Sequence, residues 1–175
     1  GISVPPPMLE KLNRQPVMWT RKAVTQLADC STFDGFAFLG DDAPDGFDDV
    51  IDINGLTDQY DEAKLSELMH CSCFWTVTPG TDNEQPVVIN AYDAEHAAGL
   101  WDYRHRRLLC GIAIVDVDPK HEDQPTAANM YTTDSVIECV KTEKGWFSTR
   151  HPHSVGRPLM EPMRFNPMLG KPFGR

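Results

Sequence analysis

Apolar positions recur with two different periods along the chain, and the period changes near residue 71. In residues 17–30, Val17, Trp19, Val24, Leu27 and Ala28 fall near helical spacing, with Arg21, Lys22 and Gln26 between them. That pattern predicts an amphipathic helix with Pro16 in its first turn. Residues 60–69 predict a second helix with Leu65, Leu68 and Met69 on its buried side. Thr57 or Asp58 is placed to cap it, and Asp61 and Glu62 sit where the helix N-terminus favours carboxylates.

Beyond residue 71 the β-formers take over. Residues 71–78 (CSCFWTVT) read as a strand ending at Pro79 and Gly80, and Val87, Val88 and Ile89 read as another after a polar turn. Residues 108–117 form the most apolar run in the chain and predict a central strand. Ile112 and Ile114 are expected to be buried together on it, because alternate residues of a strand share a face. Residues 135–142 and 146–149, joined by Glu143, Lys144 and Gly145, predict a hairpin. Three weaker segments are expected as an edge strand (33–39), a brief strand (50–53) and a short helix (93–101), with a loop around Pro119 and Pro125. Helices early and strands late predict an α+β fold: a small antiparallel sheet in the C-terminal half, packed with two or three short helices.

Proline divides the 175 residues into a body and two flanks. Pro5, Pro6 and Pro7 favour an extended N-terminal arm over residues 1–16. A single α+β domain is expected over 17–150, with an acidic loop at 29–62. In residues 151–175, Pro152, Pro158, Pro162, Pro167 and Pro172 recur every four to six positions, so regular structure is expected to stop there. This C-terminal arm is rich in Met and in bases.

Charge sharpens the division. The net charge is −10, yet Lys144, Arg150, Arg157, Arg164, Lys171 and Arg175 face Glu161 alone in the last 32 residues. Between Ala23 and Ala63 there is no Lys or Arg, while eleven acids fall there. So acidic a body is not expected to bind nucleic acid, whose phosphates would repel it. No apolar run approaches the roughly 18 residues of a membrane span. The first residues lack the basic and apolar regions of a signal peptide and, with Pro5 where Ser or Thr is needed, a myristoylation motif. Five cysteines, an odd number, point to free thiols in a reducing compartment. Cys110 and Cys139 lie in apolar runs and are expected to be buried.

Chemical motifs are sparse. The frame starting at Asp41 offers oxygen ligands and a glycine at several positions of a calcium loop, but Ala43 stands where a ligand is needed. His70, Cys71 and Cys73 place three soft ligands within four residues, at a spacing unlike that of zinc sites. His121 and Asp123 form a His-x-Asp pair with His151 and His153 downstream. Nucleophile elbows and phosphate-binding glycine loops are absent. Arg104, His105, Arg106 and Arg107 make the one basic cluster of the body and are expected at a solvated hairpin end or as ion-pair partners of the acidic loop.

The expected function is therefore assembly, without catalysis or a cofactor: a structural subunit of a large complex, a virus or phage particle component of neck, tail or capsid-associated type. It would sit in the virion or host cytoplasm and bind copies of itself or other subunits. Expected partner-binding residues are Arg157, Leu159, Met163, Arg164, Phe165, Met168 and Phe173 on the basic arm, and Asp41, Asp45, Asp48 and Asp49 on the acidic loop. The arm is expected to bind a neighbour rather than complete its own body. The alternatives are a supernumerary subunit of an organellar complex, or a small metal-dependent enzyme using His70, Cys71 and Cys73 or His121 and Asp123.

Overall fold

Helices occupy the first part of the chain and strands the rest, so the protein is α+β. The computed structural model describes residues 19–38, 43–80 and 84–163. Among the described residues three helices come first: α1 (Trp19–Asp29), α2 (Phe47–Ile53) and α3 (Leu56–His70). Eight strands follow: β1 (Cys73–Pro79), β2 (Val87–Asp93), β3 (Ala97–Asp102), β4 (Arg107–Asp118), β5 (His121–Tyr131), β6 (Ser135–Thr142), β7 (Gly145–Pro152) and β8 (Met160–Met163). They form two antiparallel sheets, ordered β2-β1-β8 and β3-β4-β5-β6-β7, rather than one small sheet.

The core draws on both sheets. Phe74 of β1 and Met160 of β8 meet Ala97, Leu108, Ala113 and Tyr131 of the larger sheet, with Tyr92, Trp101, Val136 and Leu159 packed around them. Each large apolar side chain buried there stabilises the fold by about 1.5–3 kcal/mol. Two glycines permit the close approach. A Cβ at Gly111 would lie 2.2 Å from the Met160 sulfur, and one at Gly99 would lie 2.6 Å from Leu108 Cδ2. Between the sheets, burial foremost raises the pKa of the Tyr131 hydroxyl, so it stays protonated in the core.

Helix α3 packs on the smaller sheet, and its Gln59 together with Asn54 at the end of α2 blocks the sheet's edge. On the outer strand β2, Ile89 N–H donates to Asn54 Oδ1 (2.8 Å) and Ala91 N–H donates to Gln59 Oε1 (2.6 Å). In return Asn54 Nδ2 donates to Val87 O (3.0 Å) and Gln59 Nε2 to Ile89 O (2.8 Å). Two side-chain amides thus replace a neighbouring strand and remove a template for edge pairing.

Several expectations are corrected. Residues 50–53 belong to α2, not to a strand: Asp48 and Asp49 fill its first turn, and Asn54 closes it by donating to Val50 O and Asp52 O. Residues 33–38 form no strand. Residues 93–101 are the end of β2, a turn and most of β3, with no helix. The segment around Pro119 and Pro125 is the hairpin of β4 and β5. On α3 Met69 is exposed, and Ala63 takes the buried place beside Leu68; on α1 Leu27 is exposed and Ala28 buried.

The strand at 108–117 is internal, as expected of an apolar run, but β5 is the middle of the sheet. Its inward face is one residue out from the expected one. Ala113 is 0% exposed and Leu108 is buried with it, whereas Ile112 is 41% exposed on the opposite face with Ile114. A one-residue slip exchanges the two faces of any strand.

Regular structure also continues past residue 150. β7 runs to Pro152, and β8 pairs with β1 through Met160↔Thr76 and Met163↔Cys73. Pro162 is tolerated because β8 is an edge strand. Residues 1–18 and 164–175 lie outside the described residues.

Candidate partner-binding surfaces

The larger sheet carries exposed apolar side chains on both faces, interspersed with charged ones such as Glu138, Lys141 and Arg150. On the face turned away from the core, the register sets Ile112 opposite Met130 and Ala128 opposite Cys139. Ile114, Ala98 and Trp146 join them around an open cavity of about 460 Å³. On the other face the register sets Val140 opposite Phe147, and both are exposed, as is Val115. Trp146 is 51% exposed and Phe147, its neighbour on the opposite face, 56%. Every residue of the edge strand β7 is exposed. Exposed apolar patches of this kind are the usual mark of contact sites.

A second surface lies on the acidic segment. Rings from three stretches of chain stack in a ladder: Phe38 on Phe47 (5.0 Å between centroids), Phe47 on Phe36 (5.3 Å), Phe36 on Phe33 (5.3 Å) and Phe33 on Tyr60 (5.2 Å). Such edge-on and tilted pairs are favourable beyond their burial. Lys64, almost buried, anchors the segment by donating to Ser31 O and to Asp61 Oδ1 (2.9 Å), and its ammonium lies 5.7 Å from the Tyr60 ring centroid.

The expected partner-binding residues separate into two groups. Asp45, Asp48 and Asp49 are exposed, beside Phe47 in sequence. Arg157 is exposed and 3.8 Å from Glu161 in an ion pair worth little in water. Leu159 packs against the core and Met163 sits on β8 opposite Cys73, so these two help complete the body. Asp41, Arg164, Phe165, Met168 and Phe173 lie outside the described residues. Cys110 and Cys139, expected buried, are partly exposed.

The residues weighed for metal chemistry are scattered. His70 is exposed at the end of α3, and Cys71 caps that helix in a left-handed conformation (φ 67°), its N–H donating to Glu67 O. Cys73 is fully buried; burial foremost, and then the Glu67 charge, pushes its thiol up to about 12. A thiol so raised is neither a nucleophile nor a ready ligand at neutral pH. His121 lies 3.5 Å from Asp118 in the β4–β5 turn. The side chain of Asp123 is outside the described set. Among the described residues no three His, Cys, Asp or Glu side chains are placed to hold a metal. Tyr92 is likewise pushed up to about 12, by burial first and by Tyr131 second, and stays protonated.

The basic cluster of the body sits at the hairpin of β3 and β4, as expected. Asp102 organises that turn by accepting from Arg104 N–H (2.9 Å), His105 N–H (3.1 Å) and His105 Nδ1 (2.6 Å). The hydrogen bonds from His105, side chain before backbone, hold its carboxyl below the usual range.

Sequence reasoning did not single out Ile112, Met130, Trp146 and Phe147 as surface, nor the ladder of phenylalanines. The Trp146–Phe147 pair carried one signal: adjacent aromatics on one strand must point to opposite faces. The chain matches no protein-family model and no curated protein sequence. Among the described residues no helix is long and apolar enough to cross a membrane.

Proposed function

We propose that the protein is a structural subunit of a large assembly, a virus or phage particle component whose body packs beside copies of itself or other subunits. The observation that supports this best is the larger sheet, where Ile112, Met130 and Trp146 on one face and Val115, Val140 and Phe147 on the other meet water. An antiparallel sheet normally covers one face with its own core. Here β7 and the distal end of β6 are exposed among the described residues, and β7 is an edge strand. Proline-rich, apolar flanks suit a subunit that reaches over its neighbours. Sedimentation of the full chain at rising concentration tests the reading. Concentration-dependent association is expected, and a monomer throughout would refute it.

A further inference from the structure

We infer that the aromatic ladder is a receptor for a basic extended segment, residues 164–175 of a second copy of this chain. The ladder leaves ring faces open: Phe36 is 55% exposed and Phe38 42%. Acids accompany those rings in sequence, Asp34 between Phe33 and Phe36, Asp48 and Asp49 after Phe47, and Asp61 after Tyr60, all of them exposed. The cation at hand, Lys64, is already held by Ser31 O and Asp61.

Open aromatic faces beside carboxylates fit a guanidinium, which stacks on a ring and pairs with a carboxylate at once. Residues 164–175 have the complementary chemistry: Arg164, Lys171 and Arg175 with no acid, and Phe165, Met168, Leu169 and Phe173 to extend the ring stack. A peptide of this sequence has two φ angles fixed by Pro167 and Pro172, which lowers the entropy lost on docking. The charges of the two partners are opposite in sign, which steers and orients the encounter. The second copy as donor rests on the assembly reading above; the receptor chemistry stands apart from it.

A fluorescent synthetic peptide of residues 164–175, titrated into the full chain and followed by anisotropy, tests the inference. Saturable binding is expected, weakening severalfold between about 50 and about 300 mM salt as screening shortens. Phe36→Ser with Phe38→Ser should weaken it about tenfold, the loss of a stacked cation and its apolar contacts. Asp48→Asn with Asp49→Asn should weaken it and flatten the salt dependence without touching the rings, and a peptide with Arg164→Glu and Lys171→Glu should not bind. Absence of saturable binding, or equal binding by the ring variants, would overturn the inference. So would a full chain that refuses the peptide while remaining monomeric, because its own segment would then occupy the ladder. Self-association through the larger sheet should persist in the Phe36 and Phe38 variant, so failure of the receptor reading and failure of the assembly reading give different results.

Discussion

Gly111→Ala tests whether β8 belongs to the body. The added Cβ would lie 2.2 Å from the Met160 sulfur and 3.3 Å from its Cε, with Ala98 O at 3.4 Å on the other side. Met160 is fully buried and its strand is hydrogen-bonded to β1, so the sulfur has little room to retreat. Overpacking of this kind costs about 1–3 kcal/mol. Met160→Ala alone, beside the native glycine, opens a cavity at a cost of about 2–5 kcal/mol. In the double variant the new methyl fills part of that cavity. The two losses should then fall short of additivity by about 1 kcal/mol or more, as contacting residues do. Urea denaturation of the wild type, both single variants and the double variant measures the coupling. Strict additivity, or a neutral Gly111→Ala, would mean that β8 is not seated against Gly111, and residues 151–163 would return to being an arm.

Gln59→Ala should cost about 1–3 kcal/mol in urea melts, since Ala91 N–H and Ile89 O lose their partner at the β2 edge; an unchanged midpoint would refute the edge-blocking role. The carboxyls of Asp93, Asp102 and Asp134 are all held low. For Asp93 burial raises the value but the His96 hydrogen bonds outweigh it, for Asp102 His105 dominates, and for Asp134 the Thr132 hydroxyl does. Groups with depressed folded values contribute stability above their unfolded pKa, about 3.9, and lose it as pH falls through the folded value. Melting temperature should therefore drop below about pH 4, and Asp102→Asn should reduce the slope; a wild type insensitive to pH 3 would contradict this. Toward a thiol reagent at pH 8, exposed Cys30 should react at once and buried Cys73 only on unfolding, and rapid labelling of Cys73 in the folded chain would refute its burial.

The elements legible in the sequence are those whose signal is local. β6 and β7 form the hairpin expected of them, and α3 was legible as a helix, although it begins at Leu56 with Gly55 rather than Thr57 or Asp58 as its N-cap and holds only Asp58 in its first turn. What was not legible is set by tertiary contact. Ala97, Ala98 and Gly99 resemble a short helix, yet they form β3 because only a glycine at 99 leaves room for Leu108 and Phe74. β8 hides behind its proline, tolerated because a strand at an edge needs only one neighbour. In β4 the larger residues Ile112 and Ile114 drew the core to the wrong face, while Ala113 fits the narrow space under the smaller sheet. The ring ladder joins positions 33, 36, 38, 47 and 60, which share no period and meet only through folding.

Assembly through the larger sheet is tested most directly by sedimentation velocity on the wild type and on Trp146→Ser with Phe147→Ser. Each ring offers about 150–250 Å² in total, of which about half is exposed, so covering both removes about 200 Å² from water per subunit. At about 25 cal/mol per Å² that is up to about 5 kcal/mol, and even half of it is worth nearly a hundredfold in association. Both side chains are more than half exposed, so the variant should keep the wild-type circular dichroism and melting temperature. The wild type should associate as concentration rises, and the variant should associate at least tenfold more weakly over the same range. Equal association of the two, or a wild type that stays monomeric, would contradict the claim that this sheet joins subunits.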